Sequence, residues 1–309
     1  MSMPVDPAAL AVLCVSFEPD IDVLRRQFAA LPGRSSLLVV DNGSMPGVVL
    51  ALQDLMGTMP RARLLRNAEN RGLAAAINQG VAELRRTAPQ CTHVLLLDQD
   101  SEPQADCIER LLQAWAALDD GRMRLGAIGP QLLDADTGTT HGFHQMTSWR
   151  WRRAYPAAAD TTPVPLANLN GSGTLMRIDL FTALGGLDEA LFIDHVDTEW
   201  SFRLLAAGYA LYGVPQSRMV HGMGECGLRW WLLRWRVWPA RAPARHRLLF
   251  RNTVWLMQRP YVPAVWKAWA AVKLALTALL HGLFDPARGA QLRAMWQGVR
   301  DGLLARRHR

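Results

Sequence analysis

Short apolar runs alternate with amphipathic stretches through the first hundred residues, and no other feature narrows the fold of this chain as much. AVLCVSF (11–17), LLVV (37–40), RLLR (63–66) and VLLLD (94–98) read as strands. The segments 20–30, 47–56 and 73–86 between them read as helices; in the last, Leu73, Ala76, Ile77, Gly80, Val81 and Leu84 recur at helical spacing. Strands and helices in this alternation build an α/β fold, a mostly parallel sheet flanked by helices. A helix over about 104–118 and a strand at 125–129 continue the series. Residues 134–169, rich in Thr, Pro and Asp, break it and are expected to be a long functional loop. Order resumes with GTLMR (173–177), a helix at 179–184, a helix at about 196–207 ended by Gly208, and a short strand ALYG at 210–213. From 226 onward the pattern is that of helices alone, broken at Pro239, Pro243, Pro260, Pro263 and Pro286.

The chemistry gathers where the strands end. No GxGxxG follows the first strand and no GxxxxGK[ST] occurs, which counts against a dinucleotide-binding dehydrogenase and a P-loop NTPase. The strands instead run out into SFEPD (16–20), DNGS (41–44) and DQDSEP (98–103). Ligands of open α/β sheets bind at the carboxyl ends of the strands, so this edge is the expected site. Asp98 and Asp100 lie two residues apart just past an extended segment, with Cα atoms roughly 6.6 Å apart on one side. Two carboxylates so placed can share one hard cation, Mg²⁺ or Mn²⁺, bridging a diphosphate. A solvated acidic turn capping the next helix is the plainer reading of the same residues.

VVDNGS (39–44), NRGLAAAINQG (70–80), LLLDQDS (95–101), NGSGTL (170–175), GGLDEALFIDHVDTEWSFRLLAAGY (185–209) and the H-G-x-G at 221–224 resemble, in order and spacing, the family-2 glycosyltransferases of GT-A fold. LDQDS with LFIDHVDTEW is most similar to the bacterial rhamnosyltransferases that use dTDP-L-rhamnose. The resemblance covers about 11–225, with a weaker echo in RHRLLFRN (245–252).

That resemblance implies roles for particular residues. Phe17 would lie against the base of the donor nucleotide and Asp41 would accept from its ring NH. Asn70, Arg71 and Gly72 would flank the nucleotide and its diphosphate, and Asp98 would reach the ribose or a metal-bound water. Asp100 and His221 would hold the metal, and Gly171 and Ser172 would supply a small-residue loop around the sugar. Asp197 matches the family's catalytic base. The acidic pair common in that motif is reduced here to one acid, because Val196 precedes it. Glu18 stands where the family has Asn and would bring a negative charge toward the diphosphate, so it receives no role. Of the other acids nearby, Glu199 stands i,i+4 to Arg203 and can pair with it; helix capping plus one surface ion pair is the plainer reading of Asp194, Asp197 and Glu199.

Composition matters most when divided. Residues 1–225 hold 18 Lys/Arg and 25 Asp/Glu, whereas 226–309 hold 16 Lys/Arg and only Asp285 and Asp301, a net charge of +14, with eight of the twelve tryptophans. LRWWLLRWRVW (228–238) interleaves arginine with tryptophan, and 261–284 is apolar apart from Lys267 and Lys273. A basic, Trp-rich helical appendage of this kind suits the interfacial plane of an anionic membrane. Packing on the catalytic domain with the basic face in water is the bland alternative, and the two lysines argue against a transmembrane span. Nucleic acid would leave the acidic edge unexplained and is not expected. The four cysteines are scattered, without metal spacing, and the amino terminus lacks a signal-peptide pattern, so a cytoplasmic protein is expected.

The reading is a catalytic domain over 1–225 and a helical membrane-interfacial or acceptor-side segment over 226–309. Its activity would be inverting, metal-dependent transfer of rhamnose from dTDP-L-rhamnose to a lipid-linked or polysaccharide acceptor. A UDP-hexose donor, or a non-catalytic nucleotide- or glycan-binding module, are the alternatives.

Overall fold

The computed structural model describes residues 5–304 apart from 136, 158, 223–226 and 233, with 229–232 and 234–237 described by backbone alone. In chain order the elements are β1 (Leu10–Ser16), α1 (Ile21–Ala29), β2 (Ser36–Asp41), α2 (Pro46–Gly57), β3 (Ala62–Arg66), α3 (Leu73–Thr87), β4 (His93–Asp98), β5 (Ser101–Pro103) and α4 (Cys107–Leu118). They continue with β6 (Leu125–Asp134), β7 (Phe143–Met146), β8 (Trp151–Ala154), β9 (Val164–Pro165), β10 (Leu175–Arg177), α5 (Ile178–Ala183), α6 (Val196–Ala206) and β11 (Ala210–His221). Last come β12 (Gly227–Leu232), β13 (Arg234–Pro239), α7 (Pro243–Met257), α8 (Ala264–Phe284) and α9 (Arg288–Leu304).

One sheet of order β3-β2-β1-β4-β10-β6-β11-β5 carries the first compact unit, with β9 pairing on β11. β1 is buried along its whole length between β2 and β4, parallel to both, as its unbroken apolar sequence requires of a strand covered on both faces. β10 is antiparallel to β4 and to β6, and β11 is parallel to β6. It follows that β1, β2, β4, β6 and β11 all point the same way, and that the chain entering β10 starts from the edge where they end. Ser16, Asp41, Asp98, His221 and the 170–174 loop therefore share one edge by topology alone.

Three stretches differ from their sequence patterns. ALYG proves to open a twelve-residue strand, β11, whose register shifts against β6 between Val214 and Arg218; polar Gln216, Ser217 and Arg218 interrupt the apolar run that would mark it. The expectation of helices alone beyond 226 fails at 227–239, where β12 and β13 form a hairpin pairing Trp231 with Trp235 and Leu228 with Trp238. Tryptophan and valine fit a pleated surface better than a helix, so composition favours the strand form. The 134–169 segment likewise contains the short strands β7, β8 and β9.

The chain divides into two compact units: Met1–Gln145, Arg152–Phe192 and Val196–Gly222 in one, and Met146–Trp151, Ile193–His195 and Met223–Arg309 in the other. In the second, α7 packs on α9 closely enough that a side chain at Gly298 would collide with the Arg247 carbonyl. His246 Nδ1 lies 2.7 Å from Gln291 Oε1, and Gln291 donates to the Arg241 carbonyl at 2.9 Å. These contacts tie the two helices together.

Candidate active site

Asp98 ends β4, Asp100 sits in the turn to β5, and His221 ends β11, paired in register with Ser101. One ligand atom from each of Asp98, Asp100 and His221 lies within 4.8 Å of the others. Burial, reinforced by the charges of Asp100 and Asp197 and opposed by His221, pushes the Asp98 carboxyl up to about 6. A buried carboxylate that is costly to keep ionised is one that a divalent cation would relieve. Two carboxylates and an imidazole are a donor set that Mn²⁺ accepts, so the residues present fit the metal.

The turn holding these acids is fixed from behind. Buried Gln27 of α1 donates to the carbonyls of Asp98, at 2.7 Å, and Ser101, at 2.5 Å. A chain of polar groups runs from Asp98 N to Ser172 Oγ (3.1 Å), on to Ser101 Oγ (2.6 Å) and to His221 Nδ1 (2.8 Å). Ser172 is thus buried beneath the acidic cluster, setting its geometry. Gln99, between the two acids, accepts from Phe17 N at 2.6 Å and donates to Phe17 O at 3.1 Å, leaving the Phe17 ring exposed at the end of β1. Gln27 does not announce itself in the sequence, and Gln99 and Ser101, though inside LLLDQDS, show no supporting role there, since each works through backbone groups or a neighbour far along the chain.

Asp41, at the end of β2, is almost fully buried. Its Oδ2 accepts from Ser44 N at 3.3 Å, while Oδ1 is buried without a partner. An orphaned buried acceptor implies a donor not yet in place. Asn70 is engaged in the loop itself, accepting from Asn42 Nδ2 at 3.0 Å and Gly72 N at 2.9 Å, and Asn42 Oδ1 accepts from Arg71 N at 3.1 Å. Gly72 has φ of +86° and packs against the Phe192 ring, so only glycine fits this entry to α3. The Arg71 side chain is exposed. Glu18 is engaged locally, where its carboxylate accepts from Met45 N at 2.6 Å and so holds the β1 and β2 loops together.

On the far side of the cluster, Asp197 lies in the first turn of α6, accepting from Thr198 N at 2.7 Å and Gly171 N at 3.2 Å. Glu199 does pair with Arg203, at 2.8 Å, but the pair is buried rather than on the surface, and Arg203 also donates to the carbonyls of Leu184 and Gly186. It anchors the loop before α6. That loop is strained: Phe192, Asp194 and His195 all have positive φ. Burial would raise the Asp194 carboxyl, yet Arg241 and Arg245 outweigh it and hold the group below the usual carboxylate range. Asn252 Nδ2 donates to the carbonyls of Ile193, at 2.6 Å, and Asp194, at 3.0 Å. The RHRLLFRN segment is therefore built around the 193–195 backbone. Beside Asn170 and Ser172 opens a small cleft lined also by His141, His144 and Asn168, whose Oδ1 is buried without a partner.

Of the residues singled out from sequence, Asp98, Asp100, His221, Gly171, Ser172 and Asp197 are linked by contacts at this edge, and Phe17 joins them through Gln99. Asp41, Asn70, Arg71 and Gly72 form a second group at the ends of β2 and β3. The remainder of the H-G-x-G segment, Met223 and Gly224, lies outside the described residues.

The model of glycosyl transferase family 2 matches residues 21–185, more than half of the chain. The chain belongs to that family. Among its relatives is the dTDP-rhamnosyl transferase RfbF of Shigella flexneri, 25% identical over 274 residues, covering 86% of this chain and 84% of the relative. Another is the N-acetylglucosaminyl-diphospho-decaprenol L-rhamnosyltransferase of Mycobacterium tuberculosis, 28% identical and covering 69% of this chain and 75% of the relative. The fold is GT-A. The mannosyltransferase PcManGT of Pyrobaculum calidifontis, solved with GDP-Man and Mn²⁺, superposes with a TM-score of 0.55 over 98% of this chain and 90% of its own, at 16% identity. GalNAc-T7, solved with UDP, GalNAc and Mn²⁺, gives 0.59 over 90% of this chain and 58% of its own, at 17% identity. The protein is a family-2 glycosyltransferase with rhamnosyltransferase relatives.

Proposed function

We propose that this glycosyltransferase transfers rhamnose from dTDP-L-rhamnose to a lipid-linked acceptor, with inversion, at the cytoplasmic face of a membrane. The observation that carries the reading is the single edge where Asp98, Asp100, His221 and Asp197 meet, in a chain with curated relatives that are named as rhamnosyl transferases in Shigella flexneri and Mycobacterium tuberculosis. In this reading 1–225 is the catalytic part and 226–309 serves the acceptor side.

Asp41 takes the base: its orphaned Oδ1 accepts from the ring NH, and the exposed Phe17 ring covers a face of the heterocycle. Asp100 and His221 would hold a divalent cation, Mg²⁺ or Mn²⁺, with Asp98 reaching the ribose or the water around that cation. When bound, that cation supplies Lewis-acid neutralisation of the departing diphosphate. Asn70 and Gly72 shape the α3 entry beside the nucleotide, leaving the exposed Arg71 guanidinium available to the diphosphate. Gly171 keeps the backbone clear beside the sugar, while Ser172 holds the turn of acids from below.

Asp197 acts as the general base. Accepting from backbone N–H groups at a helix start holds its charge in place, and it takes the proton of the acceptor hydroxyl as that oxygen attacks the anomeric carbon. With one base at the site, the expected course is a single displacement. The decaprenol-linked acceptor in the name of one relative is the reason for reading a lipid-linked acceptor here.

The test is turnover of purified full-length chain against dTDP-rhamnose, UDP-glucose, UDP-galactose and GDP-mannose, with Mn²⁺, followed by chromatography of the released nucleotide. Selective consumption of dTDP-rhamnose supports the reading. Preferential consumption of a UDP-hexose overturns the donor assignment.

A further inference from the structure

The second compact unit exposes an apolar face that its own packing does not explain. More than half of the exposed large hydrophobic side chains among the described residues fall in α8 and α9. On α8 they are Val272, Leu276, Leu279, Leu283 and Phe284, the first four spaced i, i+4, i+7, i+11 and so forming one stripe. On α9 Leu292 and Trp296 lie one turn apart, Trp296 being 68% exposed. An ideal Cβ at Gly282 of α8 would touch the Leu292 side chain, at 3.5 Å, so the stripes of the two helices are neighbours. A contiguous patch of this kind on a folded chain marks an interaction surface.

Charge decides among its occupants. Lys273 on α8 and Arg288, Arg293 and Arg300 on α9 are exposed. Both acids of the 226–309 segment are already engaged: Asp285 with His281 at 2.7 Å, and Asp301 with Arg247 at 2.6 Å and Arg300 at 3.4 Å. At 100° per residue, Arg293 and Arg300 follow the Leu292–Trp296 stripe around α9. Beyond them runs a groove between α7 and α9 lined by Arg247, Arg251 and Arg293 together with Asp301, Leu248 and Ala294, its three arginines outnumbering the one carboxylate. A second copy of the chain would bring the same positive rim against this one, whereas a surface of anionic headgroups over an apolar interior complements both parts.

The other side of α8 decides the depth. α8 is long and apolar enough to cross a membrane by length and composition. Its opposite face, however, buries Trp266, Ala270, Thr277, Leu280 and His281. Thr277 takes a hydrogen bond from Trp238 Nε1 at 3.3 Å, and the His281–Asp285 pair lies at its end. Spanning would strip these polar groups of their partners in hydrocarbon.

We infer that the α8–α9 face docks in the plane of an anionic phospholipid bilayer, with the Leu276–Leu283 stripe and Trp296 in the headgroup–acyl boundary and the α7–α9 arginine groove on lipid phosphates. This deepens the reading of a membrane-borne acceptor and rests on it for what docking achieves, not for the geometry.

The test is flotation of the full-length chain with vesicles of phosphatidylcholine alone or with 30% phosphatidylglycerol, without donor or acceptor. Binding at least about tenfold stronger to the anionic vesicles is expected. Leu276→Gln/Leu283→Gln and Arg247→Gln/Arg293→Gln should each weaken it about tenfold or more with unchanged secondary structure by circular dichroism. Quenching by shallow-brominated lipid should exceed that by deep-brominated lipid and shrink in Trp296→Phe. Equal binding to both vesicles, retention of full binding in either double variant, deep quenching of Trp296, or a dimer in light scattering that the leucine variant dissociates would each overturn the inference. Donor turnover in detergent-free buffer is measured separately, so loss of docking and loss of the rhamnosyl-transfer reading are told apart.

Discussion

Replacing Asp98 by Asn should make the metal-free protein more stable at neutral pH, although it removes a residue of the site. Burial pushes this carboxyl up to about 6 from an ordinary value of 3.8. At about 1.4 kcal/mol per pH unit, keeping it ionised in the folded chain costs about 3 kcal/mol. The sign follows from linkage: a group raised on folding binds its proton more tightly in the folded state. Its contribution is fully present below about pH 4 and is lost as pH rises through about 6, after which it stays constant. Asn is neutral throughout. Chelator-treated Asp98→Asn should therefore exceed the wild type in Tm by about 6 °C at pH 8, a gap that closes toward pH 4. Differential scanning fluorimetry across pH reads this directly. Adding Mn²⁺ with dTDP should raise the wild type and narrow the gap. A variant no more stable than the wild type at pH 8, or a gap independent of pH, would refute the argument that the fold destabilises this carboxylate in the absence of a cation.

Other substitutions divide the site by role. Asp197→Asn should reduce transfer at least about a hundredfold while donor affinity, by calorimetry, stays within a few fold; retained transfer would place the base elsewhere. Asp41→Ala should weaken dTDP binding about tenfold, one buried hydrogen bond, with little change in the pH profile of turnover. Arg241→Ala leaves Asp194 buried with only Arg245 and should destabilise the protein by about 2–3 kcal/mol in urea unfolding, so an unchanged midpoint would show that this pair does not secure the strained 192–195 segment.

The order of the early strands was legible because β1, β2 and β4 are short apolar runs buried in the sheet and closed by turn formers, while the half-exposed edge strand β3 carries only Leu64 and Leu65 as its apolar core, and the acids beyond them marked the edge. β11 was read only in its first four residues, since Gln216 to Arg218 break its apolar pattern where the register shifts. The hairpin at 227–239 was missed although arginine and tryptophan alternate at 234–236, the period of a strand, because the long helical pattern beyond Pro243 drew the whole tail into one helical reading. Within the site, the acids were visible one by one, but the supports were not. Gln27 reaches the Asp98 turn from α1, and Ser172 reaches Ser101 across the sheet. Contacts of that length leave no local spacing to find. Glu199 and Arg203 were seen as a pair through their i,i+4 spacing, yet spacing says nothing of burial, and the pair is interior.

The central claim of the proposed function is that Asp100 and His221 would hold a divalent cation that neutralises the donor diphosphate. Electron paramagnetic resonance of Mn²⁺ titrated into the chain with dTDP-rhamnose tests it most directly. The account predicts one bound Mn²⁺ per chain, dependent on the nucleotide sugar and lost in Asp100→Asn and His221→Ala. Undiminished Mn²⁺ binding in both variants, or full donor turnover in the presence of a chelator, would contradict it.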